Sequence, residues 1–281
     1  MTRSGRGYGD RDRAPRSGRN RVVPVARTTA GDPDFMESLA RGLTVIRAFG
    51  SARRQLSGSD VSAITGLSRA AARRCLHTLS VLGYATSIDG RFELTPAILT
   101  LAQPYLGAAS LASVARPVLA RLCDRLQESS GVAVLDGEEI VFVARAAARR
   151  ILAVEVSVGS RLPAAHTASG RVLLANEDDD ARGRFLARVK LPRFTPRTIV
   201  DRRDLRAELE RVRSQGYAIV DQELELGLRS IAVPIRRGEE GPVIAALNVG
   251  LQAGRIDVRA MQREFAPVLG EAAAEISRAL G

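Results

Sequence analysis

No apolar run in this sequence approaches the roughly 20 residues that a membrane-crossing helix needs, so no helical span is expected. Cysteine is scarce. Cys75 and Cys123 are the only two, both inside helical patterns, which leaves no disulfide framework and no metal-ligand cluster, and no metal or other cofactor is expected. Aromatic residues make up 4% of the chain against 45% hydrophobic in all, so the core must be aliphatic. The first thirty-odd residues carry arginine, glycine and proline without an apolar h-region. That is not a secretory leader, and the expected location is the cytoplasm. Ser169, His166 and Asp221 are types that a nucleophile triad uses, but no GxSxG elbow or paired-carboxylate motif surrounds them. The reading is therefore not an enzyme, a small-molecule hydrolase being the weakest alternative, and no catalytic residue is named.

Arginine is what the chain has in excess. Its net charge is +11, and the first 34 residues hold 8 Arg against 4 Asp, residues 35–100 hold 8 Arg against 4 acids, and the rest nearly balances. A basic excess gathered in the N-terminal third suits a polyanion such as DNA, although a basic surface is often only a solvated one. At 281 residues the chain is long enough for two globular domains.

Residues 1–34, including "GRGYGDRDRAPRSGRNR", have almost no apolar periodicity and read as a disordered basic tail. Phe35, Leu39, Leu43, Ile46 and Phe49 then recur at helical spacing, with Gly50 as the stop. Ser57 or Ser59 caps a second helix through Val61 and Ile64 to Gly66. Ser68 caps a third that runs to about Leu82, and only Gly66 and Leu67 part the two. Two short helices joined through a glycine form a helix-turn-helix, over about residues 57–82. "YATSIDGRFEL" follows as a hairpin around Asp89-Gly90, and Gly83-Tyr84 turns the chain into it. Three helices and a hairpin describe a winged helix-turn-helix.

Along the third helix Ala72, Cys75, Leu76, Leu79 and Leu82 share one side, and Ala70, Arg73, Arg74 and His77 the other. The first side packs inward, with Cys75 as a small hydrophobe. The second offers guanidinium groups for guanine edges or phosphates, and alanines that permit close approach. Ser68 and Arg69 sit at the helix N-terminus, the end that docks on DNA in such domains. Arg91 on the hairpin suits a backbone phosphate. His77 can reach DNA or be merely exposed.

Residues 96–130 read as helical, with Pro104 and Pro117 as interruptions and Leu111, Val114, Val118, Leu119 and Leu122 as the apolar face. From Gly131 the period becomes two. "GVAVLDGEEIVFVARA" is a hairpin turning at Asp136-Gly137, and "ILAVEVSV", "GYAIVD", "RSIAVPIR" and "PVIAALNVGL" are further strands. "TASGRVLLAN", Asp201 to Gln215 and Asp257 to Leu280 are helical, and Glu177 to Arg184 is a helix start whose acids suit the dipole. The fold class is α+β with an antiparallel sheet.

"LARGLTVIRAF", "ITGLSRAAARRCLHTLSVLGY", "SRLPAAHTASGRVLLAN" and "GYAIVDQELELGLRSIAVPI" resemble, in that order, the IclR family of bacterial transcriptional regulators over about residues 36–281. "SRAAARR", "HTASGRVLLA" and "VDQELELGLRSIAVPI" are similar to its PcaR, PobR and PcaU group. The resemblance implies a winged helix-turn-helix DNA-binding domain over 35–96, a linker helix over 97–115 and a GAF-like or profilin-like effector domain over 116–281. It further implies a homodimer or homotetramer on a double-stranded DNA operator and a small carboxylic-acid effector, with protocatechuate, 4-hydroxybenzoate and β-ketoadipate as candidates, in control of aromatic catabolism through the β-ketoadipate pathway.

For the effector it points to the opening of the "TASGRVLL" helix, where Ala168 and Ser169 match pocket positions and N-terminal amides can receive a carboxylate. It also points to Asp221, Leu228, Ser230 and Asn248, the last where relatives often carry serine. Leu228 and Ser230 share a strand face. His166 can pair with an acid's oxygen or hold the structure together. Arg145, Arg149, Arg150 and Arg229 can each balance an anion, although Arg229 points away from Ser230. Two alternatives stay open, a regulator of another carboxylate or carbon-source pathway and an architectural DNA binder that senses nothing.

Overall fold

The computed structural model describes residues 32–50, 53–106, 110–148 and 156–281. The basic tail up to residue 31, Arg149, Arg150 and most of the strand expected over 151–158 lie outside the described residues; 156–158 are not in a strand. The chain divides into two compact units, one ending at Pro104 and the other spanning Tyr105–Gly281.

In the first unit α1 (Glu37–Ala48), α2 (Gly58–Thr65) and α3 (Arg69–Val81) surround a core of Val45, Ala48, Val61, Ala72, Leu76 and Leu79. Ser57 starts α2 with a capping box: its hydroxyl accepts the Asp60 amide at 3.1 Å and the Asp60 carboxylate accepts the Ser57 amide at 2.9 Å. Gly66 ends α2 in the left-handed region at φ 74°. Ser68 caps α3, its hydroxyl accepting the Ala71 amide at 3.2 Å. β1 (Leu56–Ser57), β2 (Ala85–Ile88) and β3 (Arg91–Leu94) form an antiparallel sheet in the order β1-β3-β2. The wing turns at Asp89 and Gly90, both at positive φ, as a two-residue hairpin requires.

The first expected helix forms as α1, packing through Thr44, Val45 and Ala48, while Phe35, Leu39 and Leu43 stay 39%, 58% and 46% exposed. Helical spacing marks a helix without saying which of two apolar stripes its neighbours cover. Leu82, expected inside, is 62% exposed, since α3 ends at Val81 and the chain turns through Gly83 into β2.

Pro104 and Pro117 do not interrupt helices. A 3-10 turn (Pro96–Ile98) leads into α4 (Leu99–Leu106), and α5 (Leu111–Leu126) runs through Pro117. Proline removes one helical donor, but burial of Ala115, Val118, Leu119 and Leu122 holds α5 together.

The second unit is built on a six-stranded antiparallel sheet made of β4 (Ser129–Asp136), β5 (Glu139–Ala146), β6 (Arg161–Pro163), β7 (Ala218–Asp221), β8 (Leu228–Arg236) and β9 (Val243–Gln252). Their spatial order is β6-β5-β4-β9-β8-β7. Alternation gives it two apolar faces. Val132, Ile231, Leu247 and Val249 bury against α5 and α9 (Val258–Ala279). Ala133, Phe142, Val220 and Ala232 bury beneath α6 (Ala168–Asn176), with α7 (Asp179–Arg188) and α8 (Arg202–Gln215) in the same layer. Helices on both faces of one sheet make a three-layer α+β domain. β6, a three-residue strand ending in proline, gave no period-two signal in the sequence.

Gly170 is where α6 meets the 3-10 turn Ala164–His166. A Cβ there would lie 2.1 Å from the Ala164 carbonyl oxygen, whereas one at Gly183 in α7 meets nothing within 4 Å. Gly170→Ala is therefore expected to cost at least about 2 kcal/mol, and Gly183→Ala to be neutral or to gain about 0.5–1 kcal/mol. Urea unfolding midpoints of the two variants check this; a stable Gly170→Ala would refute the close approach.

Candidate functional site

Two sites emerge, one in each unit. On α3 the residues assigned to DNA, Ser68, Arg69, Ala70, Arg73, Arg74 and His77, are all exposed, while Ala72, Leu76 and Leu79 are buried. α3 contains no acidic residue, and Arg69, Arg73 and Arg74 form no ion pair among the described residues. With Ser68 holding the Ala71 amide and the Ala72 amide bonded to the Ser68 carbonyl, the Arg69 and Ala70 amides are left at the positive end of the helix. Arg91 is exposed on β3 with Asp60 at 3.9 Å. Cys75 is partly buried, and burial pushes its thiol up from the ordinary range, away from reactivity.

The second site is a cavity on the α6 side of the sheet, enclosing about 700 Å³ of atom-free space when the open solvent at its mouth is included. Strand register builds its floor. Arg145, Gly131, Asn248 and Ala232 lie opposite one another across four strands, and Ser129, Gly250, Ser230 and Val220 form a second row on the same face. Gly250 leaves the floor open, with nothing within 4 Å of where its Cβ would be, whereas Gly131 gives room to neighbouring side chains. A Cβ at Gly131 would stand 3.0 Å from the Phe142 ring and 3.1 Å from Asn248 Oδ1.

The facing wall comes from the 3-10 turn and the start of α6: His166, Thr167, Ala168 and Ser169. Thr167 caps the helix, its hydroxyl accepting the Gly170 amide at 3.1 Å, and the Ala168 and Ser169 amides have no acceptor among the described residues. His166, Ala168, Ser169, Leu228, Ser230 and Asn248 thus come together around one space. Asp221 does not. Its carboxylate is held by Arg197 and, at 2.7 Å, by Arg229, which also donates to the Ala253 and Ile256 carbonyls. Arg229 is a brace, as its position opposite Ser230 implied.

Arg145 is the only charged side chain among the described residues of the cavity wall, and it forms no ion pair or hydrogen bond among them. Burial lowers its pKa, the signature of a cation short of water. His166 is 1% exposed, stacks edge-on against Phe194 at 5.1 Å, and has no hydrogen-bond partner at either ring nitrogen among the described residues. Burial first, and the nearby Arg171 guanidinium second, hold its pKa down to about 4, so the ring is neutral at physiological pH.

One buried feature behind this wall was not legible in the sequence. Arg171 donates both Nη groups to Glu223 at 2.7 and 2.6 Å and its Nε to the Ala165 carbonyl at 3.0 Å, with Glu208 at 3.6 Å. Ser129, Gly131, Phe142, Val220 and Gly250 were also missed as lining. A strand residue's face can be read from the sequence, but its neighbours across strands cannot.

Two family profiles match the chain: the IclR helix-turn-helix domain over residues 38–88, and the bacterial transcriptional regulator IclR C-terminal domain over residues 103–278. The chain is 48% identical over 261 residues to the Pca regulon regulatory protein of Pseudomonas putida, covering 92% of this chain and 89% of that one. It is 36% identical over 248 residues to the p-hydroxybenzoate hydroxylase transcriptional activator of Acinetobacter baylyi, covering 86% and 91%. Among solved structures, an IclR homolog from Microbacterium hydrocarbonoxydans complexed with 4-hydroxybenzoate superposes with a TM-score of 0.75 at 30% identity, over 86% of this chain and 98% of that one.

The neutral His166 makes stability depend on pH. An unfolded histidine titrates near 6.5, and the folded one at about 4. Between those values the unfolded chain binds a proton that the folded chain refuses, so this contribution is whole above pH 6.5 and is lost on acidification through 4. The expected loss is about 3 kcal/mol across that window, absent from His166→Phe. Urea unfolding of both proteins from pH 7 to 4.5 measures it, and parallel slopes would refute a buried neutral imidazole.

Proposed function

The chain belongs to the IclR family of bacterial transcriptional regulators, and on that footing we propose that it senses a small carboxylic acid and controls genes of aromatic-acid catabolism in the β-ketoadipate pathway. Regulation of transcription, rather than catalysis, follows from the family itself. The observation that carries the effector half is the Arg145 guanidinium, which among the described residues has no ion-pair partner and is the only charged group lining the cavity. A carboxylate is the simplest group to balance it, with the Ala168 and Ser169 amides as further donors. Protocatechuate, 4-hydroxybenzoate and β-ketoadipate are the candidates, and Leu228, Ser230, Asn248 and His166 complete the pocket.

In the same reading α3 enters the major groove of a double-stranded operator. Arg73 and Arg74 reach base edges or phosphates, Ser68, Arg69 and Ala70 approach at the helix N-terminus, His77 extends the contact, and Arg91 on the wing meets the backbone. The protein acts in the cytoplasm as a homodimer or homotetramer. Phe35 and Met36, just before α1, and Leu39 and Leu43 on it are exposed, and a cluster of exposed apolar side chains supports self-association. Among the described residues no helix is long and apolar enough to cross a membrane. Effector binding shifts the spacing of the paired winged domains, with a coupling of about 1–3 kcal/mol.

Arg73→Ala or Arg74→Ala should weaken operator binding and flatten its salt dependence by about one unit per lost phosphate contact, with ligand-induced thermal stabilisation intact. Ser169→Leu should do the reverse. Fluorescence anisotropy on operator DNA and thermal shift with the three acids separate the roles. An operator affinity unmoved by saturating acid would overturn the sensor and leave an architectural DNA binder.

A further inference from the structure

The basic excess of this chain is not confined to its DNA-binding unit. Residues 181–215, which hold most of α7 and all of α8, carry 11 basic residues against 4 acidic ones, whereas the remainder of the C-terminal unit carries 15 basic against 19 acidic. The acids here are largely spent. Asp201 caps α8, accepting the Arg203 amide at 2.6 Å, and Glu208 turns inward to Arg171 and Arg211. At the start of α7, Asp178 caps the helix and Asp179 is taken by Arg182 and Arg213. Arg184, Arg188, Lys190, Arg202, Arg203 and Arg206 are all exposed, and none has an ion-pair partner among the described residues.

Two bridges run α7 and α8 antiparallel. Arg213 meets Asp179 at 3.4 Å at one end, and Arg202 donates to the Val189 carbonyl at 3.3 Å at the other. The six cations gather around the second end, each within about 8 Å of helix length from it. Their spacing works against the helices that carry them. Arg184 with Arg188, and Arg202 with Arg206, are like charges at i,i+4, which destabilise a helix where a glutamate in either place would support it. A solvated face has no need of such pairs, and an anionic partner does. Arginine supplies five of the six, and a guanidinium grips phosphate oxygens through two parallel N–H groups. Cations spread over two helices suit a polyanion of closely spaced charges rather than one small anion, and a helix-turn-helix regulator already binds such a polyanion.

We infer that this face of the C-terminal unit is a second DNA-contacting surface, binding backbone phosphates of duplex outside the bases that α3 reads. This rests on the operator reading above and extends it. The α3 helix supplies sequence choice, and the basic face of α7 and α8 adds affinity without sequence preference.

The test is fluorescence anisotropy of the full-length protein on a duplex of about 60 base pairs of arbitrary sequence, from about 50 to 200 mM salt, where each phosphate contact contributes about 0.9 to the slope of log affinity against log salt. Combining Arg184→Gln, Arg188→Gln, Arg203→Gln and Arg206→Gln should lower that slope by about 2 to 3.6. The same loss of charge elsewhere in the unit, by Arg237→Gln, Arg259→Gln, Arg263→Gln and Arg278→Gln, should leave it within about 0.5, which separates a contact from a change in net charge. Glutamine keeps helix propensity and relieves the repulsion, so urea midpoints should show the first variant no less stable than wild type. Should it be less stable, Arg203→Gln with Arg206→Gln replaces it, with about half the drop in slope expected. Equal slopes for wild type and the α7 and α8 variant would overturn the inference and leave the face to an acidic protein partner. Equal drops in both four-residue variants would also overturn it, leaving only a general field. A wild-type protein that binds no duplex even at the lowest salt would overturn the operator reading itself.

Discussion

The buried pair of Arg171 and Glu223 is the constraint on which the ligand-facing half of the structure depends. Arg171 sits at 1% exposure in a helix whose residues from Ala168 to Ala175 are all buried. A guanidinium in that position is tolerable only when its donors are satisfied, and here they reach Glu223, Glu208 and the Ala165 carbonyl. Glu223 also accepts the Ile199 amide at 3.0 Å, while its carbonyl receives the Thr198 hydroxyl at 2.6 Å. One ion pair thus ties together the turn that carries His166, the start of α6, the 195–199 loop and the segment after β7. Removing either partner would strand the other charge, so all four segments must settle together, and the cavity wall is set before any ligand arrives.

The two units place their charges by a common rule: carboxylates are engaged away from the cations that face outward partners. In the C-terminal unit Asp221 is taken by Arg197 and Arg229, and Glu128 by Arg255, and among the described residues no carboxylate pairs with Arg145 at the cavity. In the N-terminal unit Asp60 is bound into the cap of α2, where hydrogen bonds from Ser57 lower its pKa, and α3 has no acid of its own. An anion approaching either place meets a cation whose charge is not already neutralised. Attraction of this kind is strongest where water is partly excluded, which favours the half-buried Arg145 over the solvated Arg73 and Arg74 for each single contact. The DNA-facing helix must therefore rely on several contacts, and the cavity can rely on few.

Local chemistry was legible in the sequence, and long-range pairing was not. Capping residues, the Gly66 stop and the Asp89-Gly90 turn were readable because each acts within a few residues of itself. Alternation placed Leu228 and Ser230 on the cavity face for the same reason. The stripe of α1 that packs, the survival of α5 through Pro117 and the burial of Arg171 are decided by neighbours distant in sequence. Asp221 shows the limit most clearly. Its place at the end of β7 was right, but whether its carboxylate faced a ligand depended on Arg197 and Arg229, 24 and 8 residues away. The row joining Arg145, Gly131 and Asn248 is likewise a product of strand register, which no single strand encodes.

Register also offers a route by which the cavity can act on the rest of the C-terminal unit. Ser129 and Gly131 face the cavity, and Ser130 between them points to the other side of β4, where its hydroxyl donates to the Leu119 carbonyl of α5 at 3.1 Å. A ligand that lifts or settles this stretch of β4 therefore changes a bond to a helix on the opposite face of the sheet. Such a bond is worth about 0.5–1.5 kcal/mol net, which overlaps the 1–3 kcal/mol typical of coupled sites. Ligand binding shifts an equilibrium only by the difference in its affinity for the two states. A contact that is made in one setting of β4 and strained in the other would supply a difference of that size without any large rearrangement of the core.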